Sequence, residues 1–121
     1  MNPSHILIID DEHIITRALS RAFQREGFQV STASDGEAGL KKILSEKPEL
    51  ILLDIIMPKM SGLEVLEHIR TQQITTPVVL MTAYGDTKTE TTAKELGISA
   101  YLTKPFNNIE DIIALVHRLT S

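Results

Sequence analysis

A chain of 121 residues, 42% of them hydrophobic and with a net charge of -4, has the size of one domain with its own core. The acidic balance argues against direct nucleic-acid contact, which needs a basic face, and the lack of cysteine excludes a disulfide framework or thiol chemistry. The first apolar stretch, Ile6 to Ile9, is too short for a signal-peptide core or a membrane span, so a soluble, cytoplasmic protein is expected.

Strand-like runs alternate with helix-like ones five times, with no linker, repeat or low-complexity tract between them, so residues 1–121 read as a single domain. His5-Ile6-Leu7-Ile8-Ile9 is the first strand and stops at Asp10-Asp11-Glu12. A helix from about Glu12 to Glu26 follows, with Ile14, Ile15, Ala18, Leu19, Ala22 and Phe23 at three- and four-residue spacing and Gly27 as the stop. Phe28 to Ala33 is the second strand. Ser34-Asp35-Gly36-Glu37 then offers a capping box for a helix that ends before Pro48.

Glu49-Leu50-Ile51-Leu52-Leu53 is a buried central strand, and it ends at Asp54. Ser61-Gly62-Leu63-Glu64 offers a second capping box, opening a helix through Leu66 and Ile69. Pro77-Val78-Val79-Leu80-Met81 ends at Thr82. The next helix, Asp86 to Leu96, carries four threonines and only Ala93 and Leu96 as apolar residues, which predicts weak anchoring. Gly97 stops it. Ile98 to Leu102 leads to Lys104-Pro105, and Ile109, Ile112, Ile113, Val116 and Leu119 line one face of the last helix. This alternation predicts right-handed crossovers and a parallel sheet covered on both faces.

A parallel sheet gathers its strand ends on one edge, where ligands of open α/β sheets bind. One acid there is a helix cap or a turn residue as readily as a functional group, and Glu12 in particular suits a helix N-terminus. The whole set is harder to explain that way. Asp10, Asp11 and Asp54 bring like charges together against one nearby Lys104, which raises the proton affinity of at least one carboxylate unless a cation intervenes. Oxygen-only ligands suit a hard cation such as Mg²⁺. A carboxylate beside Mg²⁺, with a Lys and a Thr for phosphoryl oxygens, can carry covalent aspartyl phosphate chemistry.

The segments I-L-I-I-D-D-E, L-L-D-I-I-M-P-K-M-S-G, M-T-A-Y and Y-L-T-K-P-F resemble, in order and over almost the whole chain, the receiver (response-regulator) domain of two-component signalling. The resemblance implies a flavodoxin-like, doubly wound α/β fold with a five-stranded parallel sheet in the order 2-1-3-4-5. It implies phosphoryl transfer from a sensor histidine kinase or phosphotransfer protein to Asp54. Asp11 is then a direct Mg²⁺ ligand and Asp10 a direct or water-mediated one, with Asp54 and the backbone carbonyl of Ile56 completing the protein's share; Mn²⁺ can substitute. Thr82 and Lys104 hold phosphoryl oxygens, and the Lys104–Pro105 peptide bond is cis.

The same resemblance makes Thr82 and Tyr101 the switch pair, read out on the surface of the fourth helix, fifth strand and fifth helix. On sequence alone, Tyr101 is a half-buried strand tyrosine. Ile56 and Tyr84, each two residues beyond a site residue, flank the path of the hydrolytic water, and their bulk predicts slow self-dephosphorylation. The domain is thus not a conventional enzyme, although it catalyses its own phosphorylation. M-T-A-Y-G-D and Y-L-T-K-P-F are closest in flavour to receivers of multidomain transcriptional regulators, so an output domain beyond Ser121 is expected. A stand-alone or relay receiver and an unphosphorylated interaction module are the alternatives. Ala114 and Leu115, off the main stripe of the last helix, suit either a phosphorylation-linked homodimer or a wide core face. His5, His13, His68 and His117 show no metal-pair spacing.

Overall fold

The structure, a computed structural model, describes residues 4–83 and 85–121. In chain order it consists of β1 (His5–Ile9), α1 (His13–Arg25), β2 (Gln29–Ala33), α2 (Gly36–Glu46), β3 (Leu50–Asp54), α3 (Gly62–Thr71), β4 (Val78–Thr82), α4 (Thr87–Leu96), β5 (Ala100–Thr103) and α5 (Ile109–Thr120). All strand pairs are parallel and the sheet order is β2-β1-β3-β4-β5, the flavodoxin-like arrangement.

Alternation along the strands builds two cores. Leu7, Ile9, Ile51, Leu53, Val78 and Leu80 face one side, against Ile43 of α2, Val65, Leu66 and Ile69 of α3, and Ala93 of α4. Ile6, Ile8, Leu50, Leu52, Val79 and Met81 face the other, against Leu19 and Phe23 of α1 and Ile112 and Val116 of α5. Both faces of β1, β3 and β4 are covered, which is why those strands read as unbroken apolar runs. A fully buried Leu or Ile contributes about 1.5–3 kcal/mol. α1, α3 and α5 each bury at least two large side chains, whereas α4 buries only Ala93. Its packing is correspondingly weak.

Local chemistry sets the element ends, which depart from expectation at α2, at β2 and at β5, the last starting at Ala100 and not Ile98. Ser61 and Glu64 do form a reciprocal capping box. At α2, however, the cap is Asp35 and not Ser34: Asp35 has extended backbone and its Oδ1 accepts from Ala38 N at 2.8 Å. A carboxylate at that position satisfies the free N–H and complements the helix dipole. Phe28 does not extend β2; its ring meets Phe23 edge-on at 6.2 Å and leans on His117 at 4.8 Å. Gly27 and Gly97 end α1 and α4 at φ 94° and 101°, where a side chain would be strained.

One half-buried cation ties α3 to two neighbouring loops. From the last turn of α3, Arg70 donates from Nη1 to Ile74 O (2.6 Å), from Nη2 to Thr76 O and Gly97 O (both 2.9 Å), and from Nε to Gly97 O (3.2 Å). It thereby joins the loop before β4 to the loop after α4. Of the residues singled out beside the last helix's stripe, Leu115 packs on the α1/α5 core and Ala114 is exposed. Among the described residues no helix is long and apolar enough to cross a membrane.

Candidate functional site

Register places the first two carboxylates. β1 pairs with β3 so that Ile9 lies opposite Leu53, and one residue further along each strand come Asp10 and Asp54. Both fall on the α1/α5 side by alternation, and both are buried, at 1% and 4% exposure. Asp10 N still donates to Ala33 O at 3.0 Å, so the ladder holds Asp10 rigidly. The chain then turns sharply, with Glu12 N donating to Asp10 Oδ1 at 2.8 Å. Beyond β3, Ile55 N donates to Met81 O (3.0 Å) and Gly62 N to Ile55 O (2.8 Å), which closes the loop after Asp54 on itself. Gly62 is obligatory in that closure, since a Cβ there would collide with Asp54 O.

Lys104 arrives from the end of β5, which is tied to β4 by Lys104 N donating to Thr82 O at 2.8 Å. The Lys104–Pro105 bond is cis. Lys104 Nζ lies 2.7 Å from Asp10 Oδ2, 2.7 Å from Glu12 Oε1 and 3.4 Å from Asp54 Oδ2. Oxygens of Asp10, Glu12 and Asp54 lie within 4.8 Å of one another, close enough to share one metal ion. Beside them is a shallow hollow of about 210 Å³ lined by Asp11, Glu12, Asp54, Ile56 and Ala83.

The electrostatics are those of crowded acids. Burial, then the field of Asp10, pushes the Asp54 carboxyl up to about 6, against the opposing pull of Lys104 and a long 3.4 Å hydrogen bond from Ile56 N. Burial alone would pull the Lys104 ammonium down. Its hydrogen bonds to Asp10 and Glu12 and the charges of Asp10 and Asp54 outweigh that, holding it up at about 12. One ammonium thus faces three carboxylates, and the excess negative charge is what a divalent cation would relieve. Oxygen-only donors of this kind fit Mg²⁺.

The expected site residues are placed unevenly. Asp10, Asp54 and Lys104 converge, and Thr82 is fully buried at the neighbouring strand end. Asp11 is exposed on the rim of the hollow, outside the three-oxygen cluster. Ile56 is 56% exposed beside Asp54. Tyr101 is half-buried, with its hydroxyl enclosed, and Tyr84 lies outside the described residues. Glu12 was missed as a site residue. It occupies the N-cap of α1, yet its side chain caps nothing there and reaches Lys104 instead. Its only signal was the third acid of the Asp10-Asp11-Glu12 run, which a helix terminus explains equally well.

Residues 6–117 match the family model of the response regulator receiver domain. The chain belongs to that family. The receiver domain is 43% identical over 102 residues to the alkaline phosphatase synthesis transcriptional regulatory protein PhoP of Bacillus subtilis, covering 84% of this chain and 42% of that protein. It is 37% identical over 115 residues to the regulatory protein AtoC of Escherichia coli, covering 95% and 25%. The receiver domain therefore spans less than half the length of either relative. Among solved structures, the Francisella response regulator 1452 receiver domain is similar at 31% identity and a TM-score of 0.90, covering 97% and 96%. TrrA of Thermotoga maritima, solved in complex with Mg²⁺–BeF, is similar at 35% identity and a TM-score of 0.84, covering 96% and 98%.

Proposed function

We propose that this receiver domain accepts a phosphoryl group on Asp54 from a phosphohistidine of a sensor histidine kinase or phosphotransfer protein. The observation that carries the reading is the buried Asp54 carboxylate held against Asp10, Glu12 and Lys104 at the carboxyl edge of the sheet. An Asp54 oxygen attacks phosphorus, the P–N bond breaks, and its electron pair returns to the imidazole ring. Asp10, Asp54 and the neighbouring Asp11 or Glu12 would hold Mg²⁺, or Mn²⁺ in its place, with the Ile56 carbonyl as a further donor. Bound there, the ion supplies charge neutralisation for the phosphoryl oxygens and keeps the attacking carboxylate ionised at neutral pH.

Lys104 has to exchange partners in this scheme. Its ammonium, now shared among three carboxylates, would turn to a phosphoryl oxygen, with Asp10 and Glu12 left free to hold the ion. Thr82 donates its hydroxyl to another phosphoryl oxygen, drawing the end of β4 toward Asp54. The new charge is satisfied only when these groups shift, and α4, β5 and α5 display the shift to an output domain or partner protein. Transcriptional control is the favoured output, because relatives such as PhoP are transcriptional regulatory proteins.

Intact mass after incubation with acetyl phosphate tests this directly. The expected result is one phosphoryl adduct on the native protein, dependent on Mg²⁺ and absent in Asp54→Asn. An adduct that persists in Asp54→Asn, or none on the native protein with Mg²⁺ present, overturns the assignment.

A further inference from the structure

Gly85 lies at the start of the loop into α4. What its missing side chain does is leave room. A Cβ at this position would lie 2.9 Å from Tyr101 Oη, 3.2 Å from Tyr101 Cε1 and 3.5 Å from Thr82 Cγ2. The tyrosine ring therefore rests against Gly85, alongside Thr82, with its hydroxyl enclosed.

We propose that Gly85 is the seat of Tyr101, a positioning residue that lets the ring lie inward before any phosphoryl group arrives. The inference rests on the reading of Thr82 and Tyr101 as the switch pair. The inward ring is only marginally favoured, because Tyr101 Oη has no hydrogen-bond partner among the described residues. An enclosed hydroxyl without a partner opposes the state that encloses it. Burial, and then the charges of Glu90 and Asp86, push the phenol up, so the ring stays neutral there. A permissive seat set against an unsatisfied hydroxyl leaves the two ring positions close in free energy, and a modest bias at Thr82 then suffices to decide between them.

A side chain at position 85 meets the free end of a rotatable ring before it meets backbone, so the ring gives way and the fold does not. The test is ¹⁹F spectroscopy of the receiver domain labelled with 3-fluorotyrosine, with the two tyrosine signals assigned by Tyr84→Phe. In metal-free protein, Gly85→Ala should raise the population of solvent-exposed Tyr101 about tenfold, and Gly85→Val further. A dissolved gadolinium chelate reports that exposure. Both variants should still take the Asp54 adduct from acetyl phosphate, which separates this proposal from the phosphoacceptor reading. A Tyr101 signal as shielded in both variants as in the native protein overturns the seat, whatever happens at Asp54. Loss of the adduct in both variants also overturns it, since Gly85 would then serve the chemistry itself.

Discussion

Removing the charge of Asp54 should make the metal-free protein more stable at neutral pH, although on the proposed function the same change abolishes phosphoryl acceptance. The carboxyl is 4% exposed and is held up from 3.8 to about 6 by burial and by Asp10. The folded form thus binds the Asp54 proton more tightly than the unfolded form does. Below pH 3.8 the group costs folding nothing; the penalty grows through the interval and is complete above about pH 6. That interval corresponds to about 3 kcal/mol. Asparagine relieves less than this, because its amide is a weaker partner for Lys104 Nζ than the carboxylate 3.4 Å away. The expected gain for Asp54→Asn is about 1–2 kcal/mol in EDTA at neutral pH. In urea unfolding followed by far-ultraviolet circular dichroism, the midpoint should rise by about 0.5–1 M with an unchanged slope. Near pH 4 the difference should shrink to a small residue, and Mg²⁺ should stabilise the native protein far more than the variant. An Asn variant no more stable than the native protein at neutral pH, or one stabilised equally near pH 4, would falsify this account of crowded acids.

Arg70→Met strands carbonyls of Ile74, Thr76 and Gly97 and should cost about 2–4 kcal/mol in thermal unfolding; Arg70→Lys should recover little of it, having one nitrogen where the guanidinium uses three. Hydrogen exchange should show α4, which buries only Ala93, opening well before α5; equal protection in the two helices refutes weak anchoring. Ile56→Asn combined with Tyr84→Glu should speed decay of the Asp54 adduct by about tenfold or more, as expected for oriented water; an unchanged lifetime, followed by intact mass, removes both residues from the hydrolytic path.

What could be read from the chain was whatever repeats at short range. The parity of Ile6 to Ile9 and of Leu50 to Leu53 fixes which side Asp10 and Asp54 take, so their meeting was visible before any coordinates. The Ser61 box was equally visible, because every partner lies within four residues. Glu12 was misread because its partner, Lys104, is 92 residues away and no local pattern records it. Arg70 escaped for a related reason: its acceptors are backbone carbonyls, which every residue type supplies alike. Choosing Ser34 over Asp35 shows a subtler limit. Adjacent residues can both cap, and which one turns its side chain to the helix is settled by where β2 releases the chain.

The ammonium at the centre of the site comes from residue 104, while its partners sit at 10, 12 and 54. During synthesis the acids therefore emerge long before the one cation that pairs with them among the described residues, and a nascent chain showing four strands carries the cluster without its ammonium. Docking of β5 delivers the counter-charge and finishes the sheet in one event. A chain stopped before residue 104 still carries Asp54, but it holds the acids of the site without the ammonium that the folded domain sets against them.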